Sequence, residues 1–388
     1  MLYTLAFNFK QTNLYYAPIF FVVLLTVAFR GGLQGVVAGC RVFCEQRGRR
    51  RPSLLCIAAG VGALGVVVLT TVVLLWAPFC FASVEHPDGC TGGLLAVVRR
   101  LAPLDRGLFE DKPANIWCAL EPVLRLRQHL FQLGHTTTRL HFYIALLCAL
   151  VVLTLLAPAA VILLSTNFSS LPHPRRPRHV LLALAIGALS FFLGAFQVHE
   201  KAILIAALPL SALASDLPVA NALFSVASLF SMWPLLVKDG LLPQAVLLGV
   251  AYVCACFYLP DQSALATARA SEVADIATGF RALSGMRVSN YAVSRALRSV
   301  AGCAGAAAAG IALAACFAAP PSRLPDLFPY MTAVLCAALF SIFLCVFTLV
   351  LLAWALQSSP GAEAAGSRVR EKSVVRAISA SRVKRKAN

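Results

Sequence analysis

An all-α, polytopic membrane protein is the fold class this sequence predicts, on three observations. Of 388 residues, 60% are hydrophobic and only 13% charged, against roughly 25% charged in ordinary soluble domains. The apolar residues gather into runs near the ~20 that a spanning helix needs. The Lys and Arg residues behind the formal charge of +17 fall in short segments between those runs, as topology signals do, which argues against nucleic acid as a partner.

Taken in order, the candidate spans are roughly 14–38, 54–82, 141–165, 179–197, 200–215, 220–237, 241–260, 300–319 and 328–356, about nine in all. Leu14–Phe29 is apolar but runs into Arg30 and a basic cluster, which suits a retained anchor better than a cleaved leader. The breaks at Gln197–Lys201 and Asp216–Pro218 leave little loop, so a tight hairpin and a broken helix read alike there. The resulting organisation is a multi-span membrane domain over 1–356, with a long inter-span loop at 83–140, and a basic tail over 357–388.

Short-loop Lys and Arg set orientation. Arg41, Arg47, Arg49, Arg50 and Arg51 follow the first span, and Arg175, Arg176 and Arg178 follow the third. Counting spans places 261–299, with Arg269, Arg281, Arg287, Arg295 and Arg298, on the same side, together with the C-terminal tail. Four basic segments therefore agree on the cytosolic face. The loop 83–140 and His199-Glu200-Lys201 are expected together on the opposite face.

Most cysteines, among them Cys148, Cys254, Cys256, Cys303, Cys336 and Cys345, sit in apolar runs, where a thiol acts as a small hydrophobe. Cys80, Cys90 and Cys118 lie near the long loop, the one place where a disulfide is conceivable. Asn167-Phe168-Ser169 matches a glycosylation acceptor but falls at the cytosolic end of its span, so it is expected unmodified. The run Ala304–Ala308 suits close helix packing. Lys384-Arg385-Lys386-Ala387-Asn388 resembles a K-x-K-x-x retrieval signal of endoplasmic reticulum membrane proteins; a basic tail drawn to anionic lipid is the alternative.

Charge is concentrated in Arg106-Gly107-Leu108-Phe109-Glu110-Asp111-Lys112 and in His199-Glu200-Lys201, and charge at a bilayer edge is costly and usually functional. Arg106 offers a planar fork for phosphate, and Glu110 or Asp111 can orient a hydroxyl. A solvated loop whose acids pair with Arg106 and Lys112 explains the same heptapeptide. His199 and Glu200 are adjacent, about 100° apart on a helix, so they do not form a metal site by themselves. They suit either the flanks of a polar headgroup or the junction of two helices. No H-E-x-x-H, P-loop or G-x-S-x-G occurs to support hydrolase or nucleotide chemistry.

Three stretches together, Lys10-Gln11 with Leu14-Tyr15-Tyr16-Ala17-Pro18, Arg106–Lys112 with Ala114-Asn115-Ile116-Trp117-Cys118, and Val198-His199-Glu200-Lys201-Ala202-Ile203-Leu204, resemble the dolichyl-phosphate-glucose-dependent glucosyltransferases of the endoplasmic reticulum, membrane enzymes of the GT-C class. The second stretch is similar to the branch that adds the first α-1,3-glucose to the lipid-linked Man9GlcNAc2 precursor of N-glycans. The branch that adds the second glucose departs after Arg-Gly-Leu.

What the resemblance implies is an inverting transfer in the lumen without metal or cofactor, from dolichyl phosphate glucose to a lipid-linked high-mannose oligosaccharide. It implies catalytic roles for Glu110, Glu200 and His199, donor-phosphate binding by Arg106 and Lys201, and a substrate pocket including Asp111, Lys112 and Trp117. Members of the family carry an acidic general base in an earlier luminal loop. The resemblance covers roughly the last two thirds of the family pattern, so the chain is expected to be an N-terminally incomplete or divergent member with little transfer activity alone. Besides the second-glucose enzyme, the rival expectations are a non-catalytic degenerate relative and a transporter. A transporter would show paired broken segments in two related halves, and no such symmetry is found.

Overall fold

The computed structural model describes residues 1–29, 54–82, 89–101, 112–124, 137–166, 175–195 and 198–358. Arg106, Glu110, Asp111, the acceptor motif at 167–169, the basic cluster at 41–51 and the tail beyond 358 lie outside them. Among the described residues the regular structure is helical throughout. The helices are α1 (Leu2–Phe9), α2 (Ala17–Phe29), α3 (Leu54–Ala82), α4 (Gly89–Leu101), α5 (Ile116–Leu124), α6 (Thr137–Ser165) and α7 (Arg175–Gly194). They continue with α8 (Ile203–Ser211), α9 (Pro218–Ser231), α10 (Trp233–Lys238), α11 (Leu242–Tyr258), α12 (Gln262–Ser284), α13 (Asn290–Phe317) and α14 (Leu327–Gln357). Short 3-10 turns at Gln11–Tyr16 and Glu200–Ala202 lead into α2 and α8.

Five of these helices are long and apolar enough to cross a membrane: Ala58–Phe81, Tyr143–Ser165, Pro177–Gly194, Asn290–Phe317 and Leu327–Gln357. A sixth arises if α11 and α12, bent by 96°, count as one broken span. Of the remaining expected spans, 14–38 is described only as far as Phe29, and 200–215 and 220–237 are shorter pieces with proline near their breaks. The stretch 200–215 is a 3-10 turn followed by the nine-residue α8, which contains Pro209. The stretch 220–237 is α9 and α10, each with a proline in its first turn. A missing N–H and a fixed φ favour helix starts and interrupt helix interiors. The break at 197–201 is a hairpin, because α8 returns alongside α7. Helix α13 begins earlier than the apolar run suggests, since Ser289 Oγ accepts from the Ala292 amide and caps it.

The core is built on α7 and α14. In α7, Leu182, Ala183, Ala185, Ile186, Ala188, Leu189, Phe192 and Leu193 are all inaccessible; a helix buried nearly all round is a central one. Helix α14 buries one stripe, Ala333, Cys336, Ala337, Phe340, Leu344, Phe347, Leu351 and Trp354, at spacings of three and four. Phe340 meets the rings of Phe192 and Phe224 at 5.6 Å each, and Phe343 and Phe347 close on Phe224 at 5.3 and 5.7 Å. Lipid tails are as apolar as these side chains, so the cluster holds the bundle by shape and dispersion more than by leaving water.

Glycine permits the closest helix crossing. A Cβ on Gly279 of α12 would lie 2.1 Å from the carbonyl oxygen of Leu349 in α14, a backbone contact that no other residue allows. The expected packing role of the small-residue run in α13 is not realised among the described residues. Gly302, Gly305 and Gly310 have nothing within 4 Å of an added Cβ, and α13 is outward-facing over most of its length.

Helices α7 and α14 run antiparallel and define two ends of the bundle. At one end Arg178 and His179, near the start of α7, meet Trp354, near the end of α14. At the other, Gly194 at the end of α7 meets α5, and Asp326 at the start of α14 meets Lys112. The first, where Asp275 of α12, one turn from Glu272, bonds Trp354, is the Glu272 end, and the second is the Glu200 end.

Candidate functional site

The segment Lys112–Cys118 is held at the Glu200 end by its own polar groups. Asn115, fully buried, caps α5: its Oδ1 accepts from the Cys118 amide at 2.8 Å. Its Nδ2 donates to the Ala195 carbonyl at 3.1 Å, and Trp117 Nε1 donates to the Gly194 carbonyl at 2.7 Å. Carbonyls in the last turn of a helix have no intrahelical partner, and here α5 supplies donors to those at the end of α7. Gly194 also lets α6 approach closely, because a Cβ there would lie 2.9 Å from Val152 Cγ2 and 3.1 Å from the Val152 amide nitrogen.

The second charged stretch follows at once. After Gly194 the chain turns through Val198, which is buried, and His199, which is exposed with extended backbone (φ −87°, ψ 153°), into the 3-10 turn Glu200–Ala202. Ala202 and Ile203 are buried and anchor the turn, leaving Glu200 half-buried and Lys201 outside. Glu200 Oε1 accepts from the Lys112 amide at 3.1 Å, so the two charged stretches expected to share one side meet directly across 88 residues of chain.

The amino-terminal stretch converges on the same helices. The Tyr15 ring stacks on Phe191 at 5.1 Å, and the Tyr16 hydroxyl donates to the Ile205 carbonyl at 2.5 Å. Trp76 Nε1 donates to Asn8 Oδ1 at 2.7 Å, which brings the end of α3 to this end of the bundle. There Cys80 and Cys90 form a disulfide, while Cys118 is a buried thiol outside it.

Two acids that the sequence analysis did not single out complete the charge pattern. Lys112 Nζ lies 2.5 Å from Asp326 Oδ1 and 5.4 Å above the centre of the Tyr330 ring. Lys201 Nζ lies 4.0 Å from Asp239 Oδ2, with the lysine side chain 67% exposed, a surface pair of little strength. A signal for both acids was available: the connectors at 238–240 and 320–327 fall on the same face as His199–Lys201 in the span count. Lys112, Trp117, His199, Glu200 and Lys201 are thus found at one end. Trp117 directs its indole N–H to the α7 backbone.

The arrangement has a carboxylate, a histidine and an exposed cation at one end of an apolar bundle, chemistry suited to an anionic, amphipathic ligand. Among the described residues no group of three or more His, Cys, Asp or Glu side chains is placed to hold a metal ion.

The fold defines a multi-pass, all-helical membrane protein. The sequence pattern of the ALG6, ALG8 glycosyltransferase family matches residues 1–348, and the chain belongs to that family. It is 36% identical over 254 residues to a dolichyl pyrophosphate Man9GlcNAc2 alpha-1,3-glucosyltransferase of Mus musculus, covering 66% of this chain and 41% of that protein. The Gallus gallus protein of the same name is 31% identical over 357 residues, 90% and 60% of the two chains. The Saccharomyces cerevisiae protein is 32% identical over 251 residues, 62% and 37%. The match thus spans between 37% and 60% of the length of these relatives.

Proposed function

We propose that this chain takes part in the transfer of glucose from dolichyl phosphate glucose to the terminal mannose of a lipid-linked Man9GlcNAc2 oligosaccharide, with inversion to an α-1,3 product. The observation that carries the reading is the Lys112 amide to Glu200 contact, which joins the two motifs that resemble the glucosyltransferases, beside the exposed ammonium of Lys201. Family membership and the names of the relatives support it.

In this reaction the mannose hydroxyl oxygen attacks the anomeric carbon of glucose. A carbon–oxygen bond forms there, the bond to the phosphate oxygen breaks, dolichyl phosphate leaves, and the hydroxyl proton passes to a base. Lys201 and Arg106 hold the donor phosphate, a charge-assisted interaction that strengthens as negative charge builds on the leaving group. Glu200, His199 and Glu110 line the reacting groups, with Asp111, Lys112 and Trp117 around the pocket. No step needs a metal or cofactor.

The Glu200 end faces the lumen of the endoplasmic reticulum in this reading. The Cys80–Cys90 disulfide supports it, because such bonds persist in oxidising compartments. So do the arginines of 269–298 and Arg178, which belong to the opposite end, as cytosolic charge should. The membrane domain 1–356 then ends in a cytosolic basic tail whose Lys384 and Lys386 serve retrieval.

The test is in vitro transfer by the purified protein completed with the acidic luminal loop of the family pattern, with labelled dolichyl phosphate glucose and lipid-linked Man9GlcNAc2; residues 1–388 alone are expected to transfer little. Transfer is expected with that acceptor, unaffected by chelator and sharply reduced in Glu200→Gln, which removes charge with little change of shape. Transfer only to an acceptor that already carries one glucose would assign the second-glucose reaction instead, and no transfer to either would remove the enzymatic reading.

A further inference from the structure

We propose that Asp326 is a positioning residue for the candidate site, acting through Lys112 on Glu200. The proposal rests on the reading of Glu200 as part of the donor and acceptor pocket.

Asp326 occupies the N-cap position of α14, where an aspartate ordinarily accepts from an amide of its own first turn. It makes no such bond. Its carboxylate turns outward to the Lys112 ammonium at 2.5 Å. Tyr330, one turn further along α14, places its ring under the same ammonium at 5.4 Å, a favourable face for a cation. The first turn of α14 therefore presents a two-part receptor for one lysine.

Lys112 transmits that grip. While its side chain is held by α14, its amide donates to Glu200 Oε1. The next residue is Pro113, buried, whose ring fixes its own φ and restricts the backbone of Lys112. Beyond it, Asn115 and Trp117 pin the segment to the end of α7. Between a rigid proline and a held side chain, the Lys112 amide has little freedom, and a carboxylate bonded to a fixed donor is itself fixed. Helix α14 is well placed as the reference point, since its far end is tied down by Trp354 and Gln357, both bonded to Asp275.

This arrangement divides labour between the two lysines. Lys112 is neutralised by a close acid, whereas Lys201 meets Asp239 only at 4.0 Å. The donor's phosphate then falls to Lys201, and Lys112 sets geometry. Loss of Asp326 should accordingly affect turnover far more than donor affinity.

Amide hydrogen exchange on the purified chain, followed in a peptide spanning 110–118, reads the coupling without reference to activity. In Asp326→Asn the Lys112 amide should exchange about tenfold faster, the scale of one hydrogen bond lost, while protection over Ile116–Cys118 is kept. Asp326→Glu should restore slow exchange. Lys112→Gln, which leaves the start of α14 untouched, should reproduce the effect and carries the test if Asp326→Asn fails to fold. In the transfer assay Asp326→Asn should lower kcat about tenfold or more with little change in donor KM, and Lys201→Gln should raise donor KM. Unchanged Lys112 exchange in Asp326→Asn would overturn the proposal. Changed exchange in a protein whose parent transfers no glucose would uphold the coupling and remove the enzymatic reading alone.

Discussion

The two ends of the bundle use the same residue types in opposite ways. At the Glu272 end the acids are inside: Glu272 is 3% exposed and Asp275 8%. Glu272 accepts from the Val219 and Ala220 amides at 3.0 and 2.7 Å, closing the start of α9. Asp275 accepts from Trp354 Nε1 and Gln357 Nε2 at 2.8 and 2.7 Å. Around them Arg178 lies 4.5 Å above the Trp354 ring and 3.7 Å from Asp216. At the Glu200 end Asp239, Asp326, Lys112 and Lys201 are all partly in solvent. A carboxylate with both oxygens bonded to buried donors specifies one packing arrangement. Of the groups at the Glu200 end, Lys201, whose acid partner is 4.0 Å away, is available to something else, whereas Lys112 is held by Asp326. The first end is a lock and the second a receptacle.

The comparison can be broken by perturbing the lock. Glu272→Ala strips the α9 start of two acceptors and leaves buried amides unpaired, so stability should fall by about 3 kcal/mol. Thermal unfolding in detergent measures this, and a melting temperature within a degree of wild type would show that the cap is dispensable. Gly279→Ala pushes a methyl group into the Leu349 carbonyl and should cost about 2 kcal/mol, because neither backbone can retreat without parting the helices. The same measurement decides it, and an unchanged transition would mean that α12 and α14 are less tightly crossed.

The smallest stability effect is expected at the receptacle. Lys201→Gln removes a 67% exposed ammonium with a distant partner, so its effect on stability should stay below about 0.5 kcal/mol. Its effect should appear in donor binding instead. A large loss of stability in this variant would make Lys201 a structural residue and erase the contrast between the ends.

Much of the receptacle was legible from sequence. Lys112 and Glu200 stood out because each sits in a dense run of charge within an apolar chain, and the positive-inside count placed them on one side. The lock was not legible. Glu272 and Asp275 lie among residues with several arginines and look like part of a solvated connector. Only their register with Leu265, Ile276 and Gly279, all on the buried stripe of α12, hints otherwise. Asp326 carries no signal of its own in the sequence because its partner Lys112 is far away in the chain.

The sequence by itself determined the helical class, the family resemblance and that the Lys112 and Glu200 stretches share one end. These follow from local composition: an apolar run in lipid must satisfy its own backbone, and only a helix does so within one segment. Tertiary structure alone decided which apolar runs become long helices and which fold back as short ones, which acids are buried, and which lysine is held and which left open. Those outcomes depend on partners far apart in the chain, 52 residues for Glu272 and Ala220, 88 for Lys112 and Glu200, and farther still for Lys112 and Asp326, and no local pattern encodes a partner that packing has yet to bring near.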